Sequence, residues 1–194
     1  LLATYGTFGM IGASLFGFGV GLAIERGQGW LLVKRTTPCP MSAYFFAKLV
    51  MALVFSAVII AMLFIVGMTA GGVHLPFSVG ARLFAILMSG SVTFCALGLA
   101  IGYFASANAS APIVNLVYLP MAFLSGLWVP IKFLPETLQT FALALPPYHL
   151  AQIALRTFGA DQSKLSTTTH VAALLAATLI FLAIAAVGYR RERE

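Results

Sequence analysis

The stretch YFFAKLVMALVFSAVIIAMLFIV, residues 44–66, decides the fold, because Lys48 is its only charged residue. An α-helix needs about 20 apolar residues to cross the hydrocarbon core of a bilayer. Charged residues make up only 8% of the whole chain, whereas soluble domains carry roughly a quarter. The stretch therefore predicts a membrane-spanning helix in an integral membrane protein of the all-α class.

Four further apolar runs of similar length flank this stretch. The predicted spans are residues 1–24, 44–66, 83–104, 113–129 and 171–189, which make residues 1–194 one transmembrane domain. The sequence starts with a leucine in the middle of an apolar run, so we expect a segment upstream to be missing. The GxxxG spacings Gly17/Gly21 and Gly98/Gly102 indicate close packing between spans.

Lysine and arginine residues favour one orientation in the membrane. One predicted side holds Arg26, Lys34, Arg35, Lys48, Arg190, Arg191 and Arg193. The other side holds Arg82, Lys132, Arg156 and Lys164, spread over two connections. Because loops rich in basic residues stay in the cytoplasm, the first set and the C-terminus are predicted to be cytoplasmic.

The outer segment from Pro130 to Thr169 contains two short amphipathic stretches. Pro135 and Glu136 suit the first turn of a helix. One face of that helix is predicted to carry Leu134, Leu138, Phe141 and Leu145. A second stretch follows Pro146-Pro147 and runs from Tyr148 to about Phe158. Neither is long enough to cross, so both are predicted to lie at the outer membrane surface.

Residues with catalytic or ligand-binding chemistry are few. No Walker A motif occurs, so the chain is not expected to hydrolyse a nucleotide itself, and no HExxH motif surrounds the histidines. We therefore predict no catalytic residue and no metal site. The histidines are His74, His149 and His170. No stripe of alternating basic and aromatic residues is present, which argues against nucleic-acid binding.

The acidic residues all lie away from the predicted middle of the membrane. They are Glu25, Glu136, Asp161, Glu192 and Glu194. Carriers coupled to protons or ions use an ionisable or unwound site near the midplane. This distribution disfavours a secondary transporter and favours a transporter whose energy comes from another protein.

Two stretches carry a resemblance to a known family. ERGQGWLLVKRTTPCPMSAYFFAK, residues 25–48, and GLAIGYFASANASAPIVNLVYLPMAFLSGLWVPIKFLPETLQTFALALPPYHLAQIAL, residues 98–155, resemble a bacterial ABC exporter permease of the type-2 class. The similar features are a Glu-Arg start, a leucine-rich amphipathic helix, a Thr-Pro step and a Ser-Gly-x-x-x-Pro stretch followed by Leu-Pro. Here the last two are Thr37-Pro38 and Ser125–Pro130 with Leu134-Pro135.

The resemblance implies six spans in the family, of which this chain has five and lacks the first. It also implies a bacterial inner-membrane location, a second permease copy of the same or a different kind, and a separate ATPase that binds ATP and Mg²⁺. A cytoplasmic coupling helix contacting the ATPase would comprise Glu25, Arg26, Trp30, Leu31, Val33, Lys34, Arg35, Thr37 and Pro38. The alternative is a loop whose charges only fix orientation.

The resemblance further implies export of a drug, an antibiotic or a lipid-like compound, as in multidrug efflux. Candidates for a substrate path or an outer gate are Asn115, Ser125, Phe133, Phe141 and Tyr148. Helix packing and hydrogen bonding between helices are the alternative roles for these residues. Two other functions stay open, an intramembrane enzyme that uses Ser125 or an outer histidine, and a non-transporting assembly or sensory protein.

Overall fold

A computed structural model describes residues 1–30, 33, 41–69, 71–72 and 76–191. The helices are α1 (Leu2–Ser14), α2 (Gly21–Gly27), α3 (Met41–Thr69), α4 (Phe77–Phe104), α5 (Ala107–Leu124), α6 (Glu136–Ala142), α7 (Pro146–Arg156) and α8 (Thr167–Arg191). A π-helical segment, Leu15–Val20, joins α1 to α2, and a single 3₁₀ turn covers Ile131–Phe133. The described residues form no strand, which confirms the all-α class.

Within the part of the chain that the structure describes, five helices are long and apolar enough to cross a membrane, as the sequence predicts. The first span, Leu2–Gly27, combines α1, the π-helical segment and α2, and the other four are α3, α4, α5 and α8. The first span and α4 are each half buried inside the bundle, whereas α3 and α8 expose most of their length. Because the exposed faces of α3 and α8 are apolar, they are suited to contact lipid.

The fourth span, α5, lies several residues earlier in the chain than the predicted range 113–129. It begins after Ser106, whose hydroxyl accepts a hydrogen bond from the Ala109 amide at 3.3 Å. It ends before Gly126, which has φ of +79°. The amide of Leu127 donates to the Ala122 carbonyl at 3.2 Å, closing a Schellman motif. Local capping therefore sets both ends of α5, although the apolar run continues to residue 129.

Glycines bring the first span into backbone contact with α4. A Cβ atom built on Gly19 would lie 2.9 Å from the Gly98 carbonyl oxygen, and one built on Gly102 would lie 2.8 Å from the Gly19 carbonyl oxygen. Gly19 belongs to the π-helical segment, so the irregular part of the first span is the part nearest α4. The Gly98/Gly102 spacing is thus used for close packing, whereas a Cβ on Gly17 would meet nothing within 4 Å.

The two ends of the bundle differ in character. The basic end contains Glu25, Arg26, Lys48 and the last turn of α8, where Arg191 lies 6.0 Å from the centre of the Phe104 ring. The short-helix end contains Leu1, α6 and α7, together with the first turn of α8. Glu25 and Arg26 lie at the basic end, and Phe133, Phe141 and Tyr148 lie at the short-helix end, whereas Asn115 lies within α5.

The two short amphipathic stretches form α6 and α7, and the residues of the predicted apolar face differ in their burial. Leu134 is buried and Leu138 is half-buried, but Phe141 is 67% exposed because Ala142 takes the buried position instead. Pro146 and Pro147 occupy the first turn of α7, where their missing amide protons cost no hydrogen bond. The proline pair thus begins the second short helix as well as separating it from the first.

Candidate coupling site and outer gate

Glu25 ties the end of the first span to α3. One carboxylate oxygen lies 2.8 Å from the Lys48 ammonium, and the other accepts a hydrogen bond of 2.7 Å from the Tyr44 hydroxyl. The Lys48 side chain is 11% exposed and that of Glu25 is 31% exposed, so the pair is partly shielded from solvent. The same helical turn also carries Arg26.

Arg26 ties the same turn to the C-terminus of α4. One guanidinium nitrogen, Nη1, donates to the carbonyl oxygens of Gly102, at 3.1 Å, and of Tyr103, and Nη2 donates to that of Ala105 at 3.3 Å. The last carbonyls of a helix lack partners within the helix and carry partial negative charge, so a cation stabilises them. Glu25 and Arg26 together attach the beginning of the loop to two other spans.

The chain turns sharply after these residues. Gly29 has φ of +76°, and its carbonyl accepts a hydrogen bond of 3.3 Å from the Val33 amide. The side chains of Trp30 and Val33 are both exposed. The remaining predicted coupling residues, Leu31, Lys34, Arg35, Thr37 and Pro38, lie outside the described residues.

The substrate-path candidates on the fourth span have opposite environments. Asn115 is exposed on the side of α5, next to Leu116, which is 74% exposed. Ser125 is buried at the end of α5, and its hydroxyl makes no hydrogen bond to any part of the chain that the structure describes. Only Asn115 is therefore placed where a molecule outside this chain can contact it.

The outer-gate candidates are also divided between surface and interior. Phe133 and Phe141 are 70% and 67% exposed at the short-helix end. Tyr148 is buried, in a small apolar cluster with Ile131, Leu134 and Ala142. Phe133 and Phe141 therefore lie on the surface of the short-helix end, and Tyr148 lies in its interior.

Two of the three histidines, His149 and His170, meet at this end. His149 Nδ1 on α7 lies 2.8 Å from His170 Nδ1 in the first turn of α8, and His149 Nε2 lies 2.9 Å from the Leu143 carbonyl oxygen. Burial lowers the pKa of the His149 imidazole below its ordinary value, and the hydrogen bond to Leu143 opposes this shift. The spacing of the two histidines in the sequence did not predict this contact, because 20 residues lie between them.

Arg156 closes the connection between α7 and α8. Its Nε donates to the Asp161 carboxylate at 2.8 Å, and its other nitrogens donate to the Thr167 hydroxyl, at 2.5 Å, and to the Leu165 carbonyl. The same connection is fastened by Gln152, whose side-chain oxygen accepts from the Gln162 amide at 2.8 Å. Because one guanidinium bridges three parts of this segment, the connection is an ordered structure and not a loose loop.

Comparison with known proteins agrees with this arrangement. Residues 3–158 match the family described as "ABC-2 type transporter". The chain is also 32% identical over 143 residues to a protein of Bacillus subtilis (strain 168) named "Putative transport permease YvfS". That match covers 73% of this chain and 58% of the relative, so the chain spans little more than half of the relative's length.

The family match covers most of the chain, including the first four spans, α6 and α7. It confirms the resemblance inferred from residues 25–48 and 98–155, and it agrees with the five spans of an all-helical multi-pass membrane protein. The chain belongs to the ABC-2 type transporter family.

Proposed function

We propose that this chain is the permease half of an ATP-driven exporter in the bacterial inner membrane, with its basic end in the cytoplasm. A separate ATPase binds ATP and Mg²⁺ and pushes on residues 28–40, while a second permease copy completes the pathway. The observation that carries this proposal is the double attachment at residues 25 and 26. Glu25 is bound to Lys48 on α3, and Arg26 is bound to the C-terminal carbonyls of α4.

This attachment makes movement of the loop costly unless α3 and α4 move with it. If the loop moved and pulled Glu25 and Arg26 with it while α3 and α4 stayed in place, a partly shielded ion pair would break and the C-terminal carbonyls of α4 would lose their partners. Contact between the ATPase and this loop is therefore transmitted to three spans. In this proposal Glu25 and Arg26 transmit the movement, and the exposed Trp30 and Val33, with Lys34 and Arg35, form the contact surface.

The second permease copy is proposed to face α5. Asn115 places an amide on an exposed side of a membrane span, and an amide without a hydrogen-bond partner is costly in hydrocarbon. Contact with the second copy, or with substrate and water between the copies, removes this cost. The apolar neighbours Leu116 and Leu119 suit an amphiphilic or hydrophobic substrate, such as a drug, an antibiotic or a lipid-like compound.

The coupling role is tested by measuring ATP turnover of the ATPase, purified with this subunit in lipid. Lys34→Glu combined with Arg35→Glu is expected to abolish the stimulation that the permease gives, without loss of membrane insertion. The matched control is Lys132→Glu combined with Lys164→Glu, which makes the same charge change at the short-helix end. Equal stimulation by both double variants would contradict the proposal.

The pairing is tested by disulfide formation between two copies. Asn115→Cys in a background with Cys39→Ser and Cys95→Ser is expected to give a cross-linked dimer on mild oxidation, and Leu179→Cys on the exposed side of α8 serves as the control. A dimer from Leu179→Cys but not from Asn115→Cys would contradict the assignment of the interface to α5.

A further inference from the structure

The His149–His170 pair joins α7 to α8, which also meet at their ends through the hydrogen bond from Arg156 to Thr167. His149 belongs to α7 and is 5% exposed, and His170 belongs to α8 and is fully buried. Their ring centres lie 5.1 Å apart, and Tyr148 covers both rings with centre distances of 5.4 and 5.9 Å. The shared contact is therefore a buried polar bond across the junction of α7 and α8.

The neighbouring carbonyl fixes the position of each proton in this pair. A carbonyl oxygen only accepts, so His149 Nε2 carries a proton and donates it to Leu143. Neutral His149 then has an acceptor at Nδ1, and His170 Nδ1 must donate to it across 2.8 Å. His170 Nε2 is left as an acceptor, and it is buried without a hydrogen-bond partner among the residues described.

This proton arrangement tolerates only the neutral pair well. A proton added to His149 Nδ1 opposes the N–H of His170 Nδ1, and the bond survives only if His170 moves its own proton to Nε2, where that N–H is buried without a hydrogen-bond partner in the described chain. A proton added to His170 Nε2 would create a buried charge without a hydrogen-bond partner in the described chain. The charged groups beside the pair are Arg156 and Asp161, which form an ion pair with each other.

We propose that His149 and His170 form a proton-sensitive latch that holds α7 against α8 when neutral and releases it when protonated. The geometry supplies the latch, and only the assignment of this end to the outer side rests on the proposed function. Under that assignment, acidification outside the cell loosens the short helices at the outer mouth of the permease. The latch would thereby link the state of the outer gate to external pH.

The direction of the pH effect follows from burial. The pKa of His149 is lowered in the folded chain from an ordinary value of 6.5, so the unfolded or opened state binds a proton first as pH falls. The stability of the junction is present above the ordinary value and is lost as pH falls below it. Loosening of the junction is therefore expected between neutral and moderately acidic pH, which is above the range in which carboxylates of ordinary pKa titrate.

Hydrogen–deuterium exchange of the full chain in detergent tests the latch, because both ends then experience the same pH. After correction for intrinsic rates, exchange in residues 146–156 is expected to rise by about tenfold from pH 8 to pH 5, because protonation of the pair favours opening of the junction. His149→Gln combined with His170→Gln is expected to remove this pH dependence, and the control His74→Gln is expected to retain it. No pH dependence in the wild type, or an equal rise in the double variant, would overturn the proposal.

Nitrogen-15 NMR of histidine-labelled wild-type protein gives a second test that needs no variant to fold. At pH 8 one histidine is expected as the Nδ1–H tautomer, which is His170, and another as the Nε2–H tautomer, which is His149. Finding no Nδ1–H histidine would overturn the latch. Neither measurement involves ATP, a partner or transport. A negative result for the latch therefore does not contradict the proposed function, and a negative result for the proposed function does not contradict the latch.

Discussion

The Glu25 carboxylate lies 2.8 Å from the Lys48 ammonium, although the two residues are 23 positions apart in the sequence and belong to different spans. The pair closes the loop between the first span and α3 at its base. Tyr44, one turn before Lys48, donates to the same carboxylate. A force applied to the loop therefore reaches both spans through one side chain.

Glu25→Gln is expected to lower the free energy of unfolding by about 1–3 kcal/mol, between the values for exposed and buried ion pairs. The physical reason is that Lys48 keeps its charge in a position that is only 11% exposed. Thermal unfolding in detergent measures the change. Lys48→Gln is expected to have a similar cost, and the double variant is expected to cost less than the sum of the two single changes.

The control for the Glu25 and Lys48 variants is Lys132→Gln. Lys132 is exposed at the short-helix end, so its substitution is expected to change the free energy of unfolding little. Additive effects of Glu25→Gln and Lys48→Gln would contradict a direct interaction. Under the proposed function, each single variant is also expected to weaken stimulation of the partner ATPase, because the loop would move without α3.

Arg26→Ala is expected to loosen the C-terminal turn of α4, with a cost of about 1.5–3 kcal/mol typical of hydrogen bonds to a charged group. Arg26→Lys should recover only part of this loss, since an ammonium cannot reach the carbonyls of Gly102, Tyr103 and Ala105 with the two separate nitrogens that Arg26 uses. Faster amide exchange at residues 102–106 is the local readout. Arg190→Ala, on an exposed position of α8, is the control, and equal exchange in both variants would refute the capping role.

Gly19→Ala and Gly17→Ala form a matched pair on the π-helical segment. A Cβ on Gly19 would approach the Gly98 carbonyl to 2.9 Å, whereas a Cβ on Gly17 meets nothing within 4 Å. Gly19→Ala is expected to destabilise the bundle by about 1–3 kcal/mol through overpacking. Gly17→Ala is expected to be neutral or slightly stabilising, because alanine favours a helix more than glycine. Similar melting temperatures for the two variants would show that the first span and α4 are not closely packed.

The sequence predicted the parts of this fold that depend on apolar length. Residues 44–66 lie within α3, and all five spans were found because each covers enough apolar residues for a bilayer. The position of α5 could not be predicted from hydropathy, because Ser106 and Gly126 set its ends by hydrogen bonding and by a positive φ. The burial of individual residues in α6 was likewise not predictable from periodicity, since a small residue, Ala142, fills the buried position beside the exposed Phe141.

The candidate site was predictable in its residues but not in its contacts. Glu25 and Arg26 were identified from their place in a recognisable stretch, and Lys48 was counted only as a charge that sets orientation. The contacts of Glu25 with Lys48 and of Arg26 with α4 depend on how closely the first span approaches α3 and α4. Glycines such as Gly19 and Gly98 permit the close approach to α4. The His149–His170 contact depends likewise on the packing of α7 against α8, which periodicity within either helix does not reveal.

Gly126→Ala tests the turn that ends α5, below the exposed Phe133. Gly126 has φ of +79°, and a Cβ there would lie 3.2 Å from the Ile131 Cβ and 3.3 Å from the Ile131 amide nitrogen. The left-handed conformation alone costs a non-glycine residue about 1–2 kcal/mol. Gly159→Ala, with φ of +63° and nothing within 4 Å, carries that strain without the contact. Gly126→Ala is therefore expected to lower the melting temperature more than Gly159→Ala does, and the difference measures how tightly Ile131 packs under the turn. A larger loss from Gly159→Ala would show that the connection between α7 and α8, and not the end of α5, is the more constrained turn.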